Sequence, residues 1–167
     1  KELSIDLNAL VPYVGQLQTG SQRLAYFFAK CLVQFSGTCE PLLIAALEVT
    51  ATKEDANPSF MLGLLDGLAV VNPVGWLEFV NQIDAQGHLA AHFAAILTTG
   101  KSEEKHLLTL VDFVEKKVLD TSSVASLSYG GALNHVPVNV IGNFVLRLSM
   151  VSSEAGWQGL EILSMYC

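Results

Sequence analysis

Asp84, His88 and His92 lie at i, i+4 and i+8. On one continuous helix they would share a face, and neutral imidazole with carboxylate at that spacing suits zinc. Gly87 interrupts the helix that would carry them, and no Glu follows His88, so the metalloprotease pattern is missing. Two surface histidines are the simpler account, and no metal is expected. Glu103 and His106 form a single Glu-x-x-His, whereas a di-iron bundle needs two copies and two further Glu. A capping acid on a solvated first turn explains that pair.

Cys31 and Cys39 flank a turn at Gly37. They could reach the Cα separation of a disulfide and staple a helical corner in an oxidising compartment. The alternative is two buried free thiols. Cys167 has no evident partner. No Gly-x-Ser-x-Gly is present, and Gly130-Gly131 lacks the spacing of a phosphate loop. With no catalytic constellation, the sequence predicts a non-enzyme without a cofactor.

Other residues point to packing and contact. Gly63-x-x-x-Gly67 matches a helix-packing pattern, and Gly156 with Gly159 likewise permits close approach. Trp76 and Trp157 each follow a glycine. Side chains of that size serve as core anchors, the default for Trp, or as interface hot spots, for which both are candidates.

The elements that must position these residues read as helices. Leu3, Ile5, Leu7, Leu10, Val11 and Val14 mark an opening helix with Ser4 or Asp6 as cap, and Pro12 kinks or splits it. Ser21 caps a second helix, whose Leu24, Phe27, Phe28, Cys31, Leu32 and Phe35 recur at three and four, and Gly37 closes it. Glu40 to Ala51 follows, with Pro41 in its first turn, and then a polar loop from Lys53 to Pro58. Phe60 to Val71 is interrupted by Gly63 and Gly67; Asn72-Pro73 starts a helix through Ala85. A small-residue segment spans His88 to Thr98, and Ser102 caps a helix that runs to about Leu119. Asp120 caps a short helix through Tyr129, Gly130-Gly131 ends it, and Pro137 to Met150 is read as helix because a lone strand would lack a partner. Ser152 or Ser153 caps the last segment. The fold expected is all-α, a compact multi-helix bundle of eight to ten short helices over 1–167, with a solenoid of stacked helical hairpins as the alternative.

Composition sets the function classes. The 167 residues carry nine Lys and Arg against sixteen Asp and Glu, a net charge of −7. Charged residues are 15% against about 25% in a typical domain. Nine scattered cations give no basic stripe for nucleic acid. The most apolar stretch, Phe60 to Val80, contains Asp66 and Glu78 and makes a poor membrane span. Hydrophobic residues reach 51% and mean hydropathy is +0.43, more than a core of this size requires. The excess should surface as patches that meet partners. The apolar pattern continues to Met165-Tyr166-Cys167, which reads as a fragment or the ordered part of a longer chain.

These observations predict a non-catalytic structural or scaffolding subunit, with protein partners or self-association. Scarce Lys, plentiful Ser, Thr and Asn, and the possible Cys31–Cys39 bridge lean toward an extracytoplasmic setting, such as an envelope or secretion assembly. A lipid carrier with an internal apolar cavity is the alternative, and a metal-dependent helical enzyme on His88 and His92 the third reading.

Overall fold

Pro12 decides how the chain begins. In an α-helix its ring would collide with the carbonyl four residues back. Leu7–Tyr13 accordingly winds as a tighter 3-10 segment, capped by Asp6, whose Oδ1 accepts from the Asn8 N–H at 3.0 Å. Only then does the short helix α1 (Val14–Leu17) form. The structure is a computed structural model that describes residues 6–20, 24–129 and 131–166. The expected opening residues Leu3, Ser4 and Ile5, the cap Ser21, the terminator Gly130 and the thiol Cys167 lie outside these.

α2 (Ala25–Ser36) ends at Gly37, whose φ of 74° is the left-handed cap that the sequence predicts there. α3 (Glu40–Thr52) starts with Glu40 and Pro41, and the polar loop after it leads to α4 (Ser59–Val71). Gly63 and Gly67 do not interrupt α4. They lie at its contact with α2 instead, because a Cβ on Gly63 would fall 2.2 Å from the Tyr26 carbonyl oxygen. α5 (Pro73–Asn81) is started by Asn72, which accepts from the Gly75 N–H at 3.0 Å.

α5 stops four residues short of the expected Ala85. Asp84 takes the chain into a turn by accepting from the Gln86 and Gly87 N–H groups, both at 2.8 Å. A 3-10 turn at Ala90–His92 then leads into the short α6 (Phe93–Leu97). α7 (Glu104–Glu115) is followed by a 3-10 segment, Thr121–Ser128, capped by Asp120. α8 (Val138–Val151) and α9 (Ser153–Tyr166) complete the chain, and the Val136–Val140 alternation belongs to a helix start.

The protein is all-α: among the described residues the β-type pairing is one isolated bridge between Thr19 and Ala56. Residues 1–76 and 77–167 cluster as two compact units. In the first, α2 packs on α4 and α3 on both α1 and α4. Leu32, Val33, Leu42, Ala46, Met61 and Leu64 are buried there. In the second, α8 packs on α9 and α7 on α8, and the Thr121–Ser128 segment lies against α6 and α9. Tyr166 ties the end of α9 down: its hydroxyl donates to the Leu127 carbonyl at 2.8 Å and accepts from the Leu133 N–H at 3.1 Å. No helix among the described residues is long and apolar enough to cross a membrane.

Candidate functional site: an apolar groove between α8 and α9

Ser152 breaks the run from Val138 to Tyr166 into two helices. It adopts an extended conformation, and its Oγ accepts from the Ala155 N–H at 3.0 Å. α9 then lies against α8 at close range, because Gly156 and Gly159 face it. A Cβ on Gly156 would sit 3.3 Å from Ser149, and one on Gly159 would sit 3.0 Å from Val145 Cγ1. The glycines foreseen as close-approach residues make that approach here.

On the outer side of this hairpin lies an open groove of about 450 Å³. Its floor is small (Gly142, Ser149, Ser153, Gly156), and Leu146, Trp157 and Leu160 stand along it. A Cβ at Gly142 would have no atom within 4 Å, so that position opens into free space. The rim is exposed: Trp157 at 73%, Leu146 at 56% and Leu160 at 52%, with Met150 at 74% next to them. Desolvated apolar pockets with a Trp at the edge are where interface energy concentrates. Trp157, named from sequence as an interface candidate, stands in this site. Trp76 does not: at 1% exposure it is an interior side chain. Gly142, Leu146, Ser149 and Leu160 were missed. Their signal was small and large residues alternating at three and four on both sides of Ser152.

A second apolar face lies on α2. Leu24, Phe27, Phe28, Cys31 and Phe35 are all exposed, again at spacings of three and four. Behind this stripe, Tyr26 Oη donates to Asp66 Oδ2 at 2.6 Å and Lys30 Nζ pairs with the same oxygen at 2.8 Å. Burial, then the hydrogen bond to Asp66 and its charge, raise the Tyr26 pKa above its ordinary value.

The sequence's chemical candidates are not assembled into a site. Asp84 opens a turn, His88 lies in a turn and His92 ends a 3-10 segment, so no continuous helix carries the three. Asp84 is occupied by its turn, and a cleft that it lines with His88, about 220 Å³, is otherwise lined by Phe79, Ile83 and Leu89 among others. Burial, then the neighbouring His88, lower the His92 pKa. Among the described residues no three His, Cys, Asp or Glu side chains form a group able to hold a metal ion.

The Glu103/His106 pair is a helix start. The Glu103 N–H donates to His106 Nδ1 at 2.9 Å, and His106 Nε2 lies 3.0 Å from Asn81 Oδ1. Because Nδ1 accepts, Nε2 carries the proton and donates to Asn81, which makes the imidazole neutral. Burial lowers its pKa, with the Lys105 charge adding to that effect. The cap is therefore Glu103 with His106 behind it, not Ser102, which is buried and whose carbonyl accepts from His135 Nε2 at 2.8 Å.

Cys31 and Cys39 are not joined. Cys31 is exposed on the α2 stripe, whereas Cys39 is buried and burial pushes its thiol up to about 11, helped by the Glu40 charge. That thiol stays protonated at neutral pH and is a poor nucleophile. No protein-family model, curated protein or solved structure matches the chain.

Proposed function

We propose that this chain is a non-catalytic interaction subunit of a larger protein assembly, docking through exposed apolar helix faces, above all the α8–α9 groove. The observation that carries the reading is Trp157, 73% exposed beside a small-residue groove that leaves room for an incoming side chain. A Trp exposed to that degree loses hydrophobic stabilisation unless something covers it. The polar residues of the groove are Ser149 and Ser153, which suits an apolar, uncharged surface of a partner rather than a charged one. What supports an extracytoplasmic assembly, such as an envelope or secretion complex, within this proposal is the scarce Lys with plentiful Ser, Thr and Asn alone, since Cys31 and Cys39 are free.

The test is site-specific photo-cross-linking in the host, with a benzophenone amino acid at position 160 and a control at Lys116 on the polar end of α7. Discrete protein adducts from position 160 and none from 116 support the reading; no adducts from 160 overturn it. A carrier of small apolar ligands is the second reading, favoured by a groove volume of about 450 Å³ within the range of ligand sites. Lipid that copurifies in fixed ratio and occupies this groove would move the conclusion there.

A further inference from the structure

We infer that the α8–α9 groove is covered by the same groove of a second copy of this chain, forming a two-fold symmetric four-helix contact. This rests on the interaction reading above and names its partner. Two arguments lead to it.

The first is shape. A two-fold contact requires one surface to be complementary to itself. The α2 stripe is built mostly of large side chains, Leu24, Phe27, Phe28 and Phe35, with Cys31 the smaller residue between them. The α8–α9 face carries both parts: large residues at Leu146, Trp157 and Leu160, and small ones at Gly142, Ser149 and Ser153. Large residues of one copy can enter the small positions of the other, as knobs enter holes in helical bundles. Gly142 shows the vacancy directly, since nothing lies within 4 Å of where its Cβ would be.

The second is area. Val138, Gly142, Leu146 and Met150 follow at successive fours along one side of α8, and Trp157 and Leu160 continue the face on α9. The five large side chains among them are each more than half exposed. Aromatic side chains bury about 150–250 Å² and aliphatic ones less, so five that are each more than half exposed present on the order of 500 Å² of apolar surface. A standard-size interface takes about 800 Å² from each partner, about 56–58% of it apolar, which is roughly 450 Å², whereas obligate homodimers bury more. One copy therefore supplies what a standard-size contact asks of it, that of an exchanging dimer.

The experiment is light scattering after size exclusion on the whole chain over a concentration series, with helicity checked by circular dichroism. The wild type should approach twice the 18.0 kDa chain mass. Gly142→Trp, which fills the groove from its open position, and Trp157→Glu should both return the mass to that of one chain. Phe35→Glu on α2 should leave the dimer intact. A wild-type chain that stays monomeric at high micromolar concentration overturns the inference. So does a dimer that survives both groove variants or is lost in Phe35→Glu. Failure of the two readings is separable: a monomer with adducts to other proteins at position 160 removes the second copy as partner, whereas absence of any adduct removes the interaction surface itself.

Discussion

Two glycine-to-alanine changes in helices of this protein should have opposite signs. Alanine is preferred over glycine inside a helix by about 1 kcal/mol, so each substitution begins with that gain. At Gly142 nothing opposes it, because the new methyl has no neighbour within 4 Å. At Gly63 the methyl would meet the Tyr26 carbonyl oxygen at 2.2 Å and Ala29 Cβ at 2.9 Å. The first of these is backbone of a packed helix and cannot swing away. α2 and α4 must separate, which loosens the Tyr26–Asp66 hydrogen bond and the Lys30–Asp66 pair that join them. Overpacking of this kind costs about 1–3 kcal/mol or more. The net for Gly63→Ala is a loss of roughly 1–3 kcal/mol, because the lost polar contacts offset the helix gain. At about 2–4 °C per kcal/mol for a chain of this length, Tm should fall by roughly 2–12 °C for Gly63→Ala. It should rise by about 2–4 °C for Gly142→Ala. Thermal melts at 222 nm, run at concentrations where the chain has its single-copy mass, read both. A neutral or stabilising Gly63→Ala would refute the claim that this glycine is required by the α2–α4 contact.

Other consequences follow from single groups. Tyr26→Phe should cost about 1–2 kcal/mol in urea denaturation, since it removes a hydrogen bond to a half-buried carboxylate; an unchanged midpoint would mean water replaces the hydroxyl. His106 has a folded-state pKa below its ordinary 6.5, so the unfolded chain takes up that proton first. Its contribution is complete above about pH 6.5 and is lost as pH falls through the folded-state value. Tm should therefore drop as pH falls below about 6.5, with a shallower slope in His106→Gln, and equal slopes would contradict the neutral tautomer. In native protein, Cys31 should react with a maleimide while Cys39 reacts only on unfolding. Mapping of the modified peptides checks it, and fast native labelling of Cys39 would contradict its burial.

Local rules made part of this fold legible. Gly37 as a left-handed terminator, Pro41 in a first turn, and Asn72-Pro73 as a restart are set by backbone chemistry within a few residues, and each appears where the sequence places it. Features decided by tertiary partners were not legible. Gly63 and Gly67 read both as a helix-packing pattern and as interruptions, since a helix-interior glycine weakens a helix, and only the contact with α2 shows that packing offsets that cost. Trp76 and Trp157 share a Gly-Trp context, and only the folded chain buries one and exposes the other. The helix before Asp84, His88 and His92 ends earlier than the break read at Gly87, because an Asp that accepts two backbone N–H groups makes a turn where periodicity alone would continue a helix. Glu103 displaced Ser102 as cap because His106 can accept the backbone N–H, a role usually sought in Glu or Gln. The groove itself was visible only as small residues around Ser152, whose meaning depends on α8 and α9 folding back on each other.

The most direct test of the central claim is acrylamide quenching of Trp157 as protein concentration rises, isolated as the difference between wild type and Trp157→Phe. The buried Trp76 gives a constant, poorly quenched background. If the α8–α9 face meets a second copy, Trp157 is readily quenched in dilute protein and becomes protected, with a blue-shifted emission, over the same concentrations at which the mass doubles. A Trp157 that stays fully quenchable while the mass doubles would place the contact elsewhere and contradict the account.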